Sequence, residues 1–413
     1  MIVLIINIKL LINVRDQSRL LRGKDLAYLP CIENAFLLIE DDVISEYGNM
    51  YELEIKIPEI PKNTIDAFGQ FILPCWCDSH THLVFAKSRE DEFVYKLKGM
   101  NYAEIANRGG GILNSAKAIE EISENDLFDQ AKIKLHDVIK LGTGAIEIKS
   151  GYGLSVAGEL KMLRVIKKLK ETSGIIIKST FLGAHTYPLA YRDDHPAYIN
   201  MIINEMLPVI AREKLADYID VFCEEGFFSP GEMEIICTAG KKVGLKPKLH
   251  VNQLNSIGGI EKAIELNALS ADHLETMNKR DIELLAGSDT IGTLLPTAAF
   301  FLRMQYQPAR QLIDAGCAVA LASDFNPGSS PSGNMNFVIS LSCIQMKMLP
   351  EEAINAATMN GAFAMEVQDQ AGSITIGKKA NLIFTKPVSS ISYLPYAFGS
   401  DLIEKVMING EIL

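Results

Sequence analysis

The sequence predicts an α/β fold: a (β/α)8 TIM-like barrel that carries a small β-sandwich domain formed by both chain ends. Three observations lead there. At 413 residues the chain exceeds one compact core of ordinary size, so a large barrel plus a small satellite is the economical division. Both ends read as short strands separated by turns. The middle alternates eight short apolar, β-branched runs with amphipathic stretches, as a (β/α)8 barrel requires.

The opening MIVLIINIKLLINV has no positive residues before it, and Asn7, Lys9 and Asn13 interrupt it. Rich in Ile and Val, it reads as a strand rather than a leader. AFLLIEDDVISEYG (35–48) reads as a hairpin. Near the other end, AGSITIGKKANLIF and VMINGEIL again give strands with Gly at the turns. Residues 1–66 together with 368–413 are therefore expected to pair into the small β domain, with the barrel spanning 67–367.

Within the middle, the apolar runs end near His82, Ser150, His185, Glu224, His250, His273, Leu295 and Asp324. GELKMLRVIKKLKE (158–171) and GEMEIICTAGKKVG (231–244) carry apolar residues at helical spacing between them. In such barrels the C-terminal strand ends form the active face, and here most of them carry polar residues.

Composition excludes several functions. The chain is 48% hydrophobic and 22% charged, with a net charge of −11 and no Lys/Arg block, which argues against nucleic acid or an anionic membrane as partner. An anionic substrate would need a local positive group set against that field. No segment reads as long and apolar enough to span a bilayer. Seven irregularly spaced cysteines do not form a disulfide framework and suit a reducing, cytoplasmic setting.

The chemistry concentrates at PCWCDSHTHLVF (74–85). Strand side chains alternate faces, so His80 and His82 point the same way, with Asp78, and can grip one ion. Cys75 and Cys77 face the other side and read as packing residues. GLKPKLHV ends at His250, ALSADHL at His273 and AVALASD at Asp324. Buried imidazoles and carboxylates are costly unless paired or bound to metal, so their gathering at strand mouths points to a metal centre. Of the seven histidines, five end barrel strands once His185 is included; His136 and His195 read as surface residues.

H-x-H on strand one, His on five and six, and Asp on eight resemble the amidohydrolase superfamily. The strings SHTHLVFAKSREDEF, NRGGGI, EIKSGYGL, TFLGAH, FCEEGFFS, SADHLE and SDFNPGSSP are similar, more narrowly, to its imidazolonepropionase family of histidine degradation. The resemblance implies hydrolysis of the cyclic amide of 4-imidazolone-5-propanoate to N-formimidoyl-L-glutamate. It implies His80, His82, His250 and Asp324 as ligands of one zinc or iron ion per subunit. Strand four, DYIDVFCEEG, holds no lysine for a second metal, and Lys149 on strand two reads as a structural lysine or as one that supports the metal ligands from behind.

On this pattern Asp324 is the expected proton shuttle. His273 would orient the water or stabilise developing charge, and His185 would hydrogen-bond the ring oxygen. Arg89 is the expected partner of the propionate carboxylate, whose geometry its planar fork matches. Tyr152 would add a hydroxyl to the carboxylate or ring. Asn326, Gly328 and Ser329 would meet ring or product. Gln253 stands where the family carries Glu or Gln against the ring, whereas a deaminase needs a Glu there to move protons, which an amide cannot do. Cys75-Trp76-Cys77, Asn252 and Asn381 depart from the usual family residues without removing a ligand. A homodimer is implied by resemblance only. The competing readings are another amidohydrolase, such as an aminoheterocycle deaminase, and a barrel serving as a non-catalytic scaffold.

Overall fold

The structure is a computed structural model that describes residues 2–100 and 110–413. The first three residues of the NRGGGI string (107–112) lie outside the described residues.

The chain ends build one hydrogen-bonded sheet from β1 (Ile2–Ile12), β2 (Cys31–Glu40), β3 (Val43–Asn49), β4 (Thr64–Asp66), β5 (Phe71–Pro74), β14 (Leu382–Thr385), β15 (Ile403–Ile408) and β16 (Glu411–Ile412). Its order is β16-β15-β14-β5-β1-β2-β3, with β4 beside β1. The opening apolar run is the central β1, whose Val3, Ile5, Ile8 and Leu11 pack with Leu37, Leu382 and Phe384. β5 joins the N- and C-terminal parts, running parallel to β1 and antiparallel to β14. The end sheet thus reaches past residue 66 to Pro74, and one residue later the chain enters the barrel.

The barrel strands are β6 (Trp76–Asp78), β7 (Thr143–Lys149), β8 (Ile176–Ala184), β9 (Tyr218–Cys223), β10 (Lys246–Val251), β11 (Ser270–His273), β12 (Ile291–Leu294) and β13 (Val319–Leu321). They follow one another in a parallel sheet from β6 to β13, and a bridge between Thr81 and Phe325 joins the two edges. The strand ends therefore fall within a few residues of the eight positions read from the sequence.

Amphipathic helices cover the outside. Helix Val156–Thr172 starts where Ser155 accepts from Gly158 N, and it buries Leu160, Leu163, Ile166 and Leu169 against the barrel. Leu163 is wholly buried, so truncating it to Ala would cost about 2–5 kcal/mol. Among the described residues no helix is long and apolar enough to cross a membrane. The end sheet meets the barrel where β6 begins, so the opposite, C-terminal strand mouths are free to hold the site.

Candidate active site

The strand mouths converge on three imidazoles and a carboxylate. His80 and His82 follow β6 in extended chain, fixed by Asp324 N to His80 O (3.0 Å) and His82 N to Phe325 O (2.9 Å). His80 Nε2 and His82 Nε2 lie 3.6 and 3.7 Å from Asp324 Oδ1. His250 Nε2 lies 3.3 Å from His82 Nε2. The donor atoms of His80, His82 and His250 form one group within 4.8 Å, and those of His80, His273 and Asp324 form another.

The hydrogen bonds of the far ring nitrogens decide what this group can hold. Asp272 Oδ2 and Asp220 Oδ2 accept from Nδ1 of His80 and His250, both at 2.7 Å. A carboxylate accepts, so both Nδ1 atoms carry the proton and both Nε2 atoms present lone pairs. Among the described residues His80 Nε2 is buried with no hydrogen-bond partner. Burial, followed by neighbouring cations and imidazoles, pulls His80, His82 and His250 well below the ordinary histidine range, which keeps them neutral. Converging lone pairs beside Asp324 repel one another unless a cation sits among them. Nitrogen and oxygen donors of this kind fit a divalent metal such as zinc or iron.

A layer of buried charge lies beneath. Lys149 Nζ contacts Glu147 Oε1 (2.7 Å), Asp220 Oδ2 (2.9 Å) and Asp272 Oδ2 (3.6 Å). Burial opposes its charge, but Asp220, Glu147 and Asp272 outweigh burial and hold Lys149 above the ordinary lysine range. Lys248 Nζ meets Glu147 Oε2 (3.2 Å) and Ser270 Oγ (2.9 Å), and Ser270 Oγ donates to Asp272 Oδ1 (2.6 Å). These five charged side chains are fully buried. Three carboxylates against two ammonium groups leave one negative charge, and Asp324 supplies a second, which a divalent ion would balance.

Above the histidines is a cavity of about 380 Å3. His82, Arg89, Tyr152, His185, His250, Gln253, His273, Asp324, Asn326, Gly328 and Ser329 all line it, and His80 alone of the sequence-derived set lies beneath it. Phe222, Phe227 and Leu302 give it apolar walls. Arg89 Nε and Nη2 donate to the Ser115 hydroxyl oxygen at 3.1 and 2.8 Å, and the guanidinium sits 5.6 Å from the Tyr152 ring centre. No carboxylate pairs with Arg89 among the described residues. Lys96 lines the same cavity as a second cation. Burial keeps Tyr152 a phenol, well above its ordinary range.

His185 departs from its expected role. Its Nδ1 lies 3.0 Å from Gly151 O, and a carbonyl can only accept. Nδ1 therefore carries the proton, and burial first of all pushes the imidazole down to about 4, so Nε2 presents a lone pair. A neutral His185 cannot donate to the ring oxygen; it can accept an N–H. Gly151, at φ 110°, is what brings its carbonyl there, and a Cβ would fall 2.9 Å from His185 Nδ1. His273 has the opposite character. Burial lowers it, but Glu275, 3.3 Å from Nδ1, and then Asp324 raise it above the ordinary value, which favours the protonated, donating form. Burial raises Asp324 to about 6, tempered by His273 and by Ser329 Oγ at 3.1 Å.

The FNPGSSP loop is held by Asn326. Its Oδ1 accepts from Gly328 N and Ser329 N, both at 2.8 Å, and its Nδ2 donates to Asp324 O (2.6 Å) and Ser329 Oγ (2.7 Å). The amide is thus committed to the loop, whereas it was expected to meet ring or product. His273 and Asp324 both hold left-handed backbone, φ 87° and 51°, the kind of strain that gathers at functional sites.

Sequence reading missed Asp220, Asp272, Glu275 and Glu159. Buried Glu159 accepts from Gly151 N, Gly153 N and Leu154 N (3.0, 2.7 and 3.0 Å) and so pins the loop bearing Tyr152. The available signal was charge inside otherwise apolar parallel strands, as at Asp220 in YIDVFC.

A family model described as the Amidohydrolase family matches residues 71–413. The chain is 59% identical to an imidazolonepropionase of Flavobacterium johnsoniae over 100% of both chains. It is 54% identical to that of Christiangramia forsetii, again over 100% of both. Among solved structures, the E. coli guanine deaminase matches at TM-score 0.74 and 13% identity, covering 100% of this chain and 99% of that one. A triazine hydrolase variant matches at TM-score 0.74 and 16% identity, covering 100% and 94%. At such identities the likeness is one of fold.

Proposed function

The chain belongs to the amidohydrolase family and, within it, to the imidazolonepropionases, and on that premise we propose how its residues open a cyclic amide. The reaction is hydrolysis of 4-imidazolone-5-propanoate to N-formimidoyl-L-glutamate. The observation that carries the site reading is one cavity with two ends: lone pairs and a carboxylate at its floor, and on its wall an Arg89 that pairs with no carboxylate among the described residues.

His80, His82, His250 and Asp324 would hold one zinc or iron ion per subunit. When bound, such an ion lowers the pKa of water toward about 7 and polarises the carbonyl. Arg89 binds the propionate carboxylate through its free Nη1 edge, and Tyr152 packs beside both. His185 Nε2 accepts a ring N–H, which orients the ring. Asp324 takes a proton from the attacking water as its oxygen bonds to the ring carbonyl carbon. His273 donates to the carbonyl oxygen as negative charge develops there. Asp324 then passes its proton to the ring nitrogen as the C–N bond breaks, and the carboxylic acid so formed ionises, its proton taken up by the basic formimidoyl nitrogen of the opened chain.

Aminoheterocycle deamination, the chemistry of fold neighbours, would need a proton carrier at position 253. Gln253 offers an amide. A homodimer in the cytoplasm belongs to the same reading, and light scattering of the purified protein tests the dimer. The activity is tested by following loss of imidazolone absorbance with freshly made substrate, using Asp324→Ala as control. Turnover by the parent alone is the expected result; no turnover by a protein that holds one metal would sink the substrate assignment.

A further inference from the structure

We infer that Lys149 is a positioning residue for the metal ligands: one buried ammonium clamps the two carboxylates that orient His80 and His250. This rests on the metal reading above but not on the choice of substrate.

The geometry joins the two halves of the ligand set at one atom. Lys149 Nζ lies 2.9 Å from Asp220 Oδ2 and 3.6 Å from Asp272 Oδ2. Those same oxygens are the ones that receive His250 Nδ1 and His80 Nδ1, each at 2.7 Å. His80 and His250 come from the chain after β6 and from β10, strands distant in the barrel order, yet their orientation is referred to one cation. Their ring centres lie only 4.4 Å apart.

The alternatives for holding the carboxylates are unequal. Asp272 has a second support, because Ser270 Oγ donates to its other oxygen at 2.6 Å. Asp220 has the backbone N–H of His250 at 3.0 Å, which belongs to the ligand it must orient. Neither support is a cation in contact with the oxygen facing the imidazole; Lys248, the second buried ammonium, favours the Asp272 carboxylate too but sits on Ser270 Oγ and Glu147 Oε2. Without Lys149, the buried carboxylates of Glu147, Asp220 and Asp272 repel one another and turn apart, and each histidine turns with its partner. Orienting groups of this kind are typically worth roughly 10- to 100-fold in metal affinity.

The sequence alone leaves Lys149, on the strand after the H-x-H motif, as a structural lysine or a support behind the ligands, without saying which groups it meets. In the fold it sits two residues after Glu147 on the same strand face, and Asp220 and Asp272 reach it from β9 and β11. Alternate strands of a parallel barrel contribute to a common interior layer, which brings these three elements to one level.

The test uses the full-length protein without substrate, so the result does not depend on the reaction assignment. Zinc affinity is measured by competition with a chelator, and the visible absorption of the cobalt(II)-loaded protein reports ligand geometry. Lys149→Met is the direct variant. Because it leaves an extra buried charge, Lys149→Met/Glu147→Gln restores the charge balance while leaving both Asp–His pairs intact, with Glu147→Gln alone as reference. The expected result is zinc binding roughly 10- to 100-fold weaker in the folded double variant than in Glu147→Gln, with a changed cobalt spectrum. A folded double variant with the affinity and spectrum of the Glu147→Gln reference would overturn the inference. A parent protein that binds no zinc or cobalt would overturn the metal reading, and this inference with it.

Discussion

Gly328→Ala gives the sharpest test of the carboxylate end of the cavity. A Cβ built at Gly328 would fall 2.5 Å from Arg89 Nη1 and 3.2 Å from its Cζ, with Asn326 Oδ1 next at 3.6 Å. Ordinary van der Waals contact begins near 3.4 Å, so the guanidinium must retreat by about 1 Å. It can do so cheaply, being the end of a flexible side chain, while Gly328 N keeps its bond to Asn326 Oδ1 at 2.8 Å. Folding stability should therefore change little. The free Nη1 edge, however, is the one left for the substrate, because Nε and Nη2 are engaged by Ser115.

Losing one charge-assisted hydrogen bond to carboxylate costs about 1.5–3 kcal/mol, or roughly 10- to 150-fold. The loss should appear in KM, with kcat nearly unchanged, because the carboxylate lies away from the reacting carbon and its binding is uniform through the reaction. Steady-state kinetics on Gly328→Ala, Arg89→Met and the double variant checks the route. Since Gly328 acts through Arg89, adding Gly328→Ala to Arg89→Met should cost almost nothing further. Full additivity in that cycle, or a parent-like KM in Gly328→Ala, refutes the reasoning.

Four further outcomes follow from the same geometry. Asp324→Asn keeps the side-chain shape but cannot carry the proton, so single-turnover kinetics on metal-loaded protein should show a loss of roughly 10²- to 10⁴-fold. His185→Phe removes the acceptor fixed by Gly151 O, and kcat/KM should fall by about 10-fold, whereas His185→Gln should recover part of it. Dialysis against a chelator should abolish turnover and lower the melting temperature, and one equivalent of zinc per chain should restore both. Burial lowers Lys378 to about 8 from 10.5. The unfolded state then binds more protons between those values, so its contribution to stability rises as pH rises from about 8 to 10.5, by up to about 3 kcal/mol. Denaturant titrations should show that rise shrinking by the same amount in Lys378→Met.

The pairing of His80 with His82 was legible in sequence because their spacing is local, and His250 and Asp324 were legible as polar residues ending apolar runs. His80 and His82 are two apart on extended chain, and period-two alternation is enough to face them together. The same rule covers Glu147 and Lys149, but their meaning depends on Asp220 and Asp272, which are brought to them only by the order and register of β7, β9 and β11. Register between distant strands leaves no local trace, so the sequence leaves Lys149 as either a structural lysine or a support behind the ligands and does not name its partners. The direction of His185 was hidden for a related reason. Its strand-end position was visible, but whether Nε2 gives or takes a proton is set by Gly151 O, which the left-handed glycine aims at Nδ1. Asn326 likewise read as a ligand contact, since a Gly/Pro/Ser loop does not announce which of its side chains holds the loop itself.

Charge shows how these pieces answer one another. A chain of net charge −11 repels an anionic substrate at long range, so affinity has to come from short-range contacts inside a cavity where screening by water is weak. Arg89 and Lys96 supply two positive charges on the cavity wall against the one carboxylate of Glu92, and no carboxylate among the described residues is paired with Arg89. The floor has the opposite sign, with an excess of carboxylate over ammonium that only a bound cation offsets. A substrate with a carboxylate at one end and a neutral amide at the other can enter such a field in one orientation, carboxylate to Arg89 and carbonyl toward His273. A substrate without the carboxylate has no reason to prefer that orientation. An analogue of the ring lacking the propionate should therefore lose affinity as Arg89→Met does, whereas Arg89→Met acting on the analogue should change neither KM nor kcat; a further loss there would mean that Arg89 serves the fold of the loop rather than the substrate.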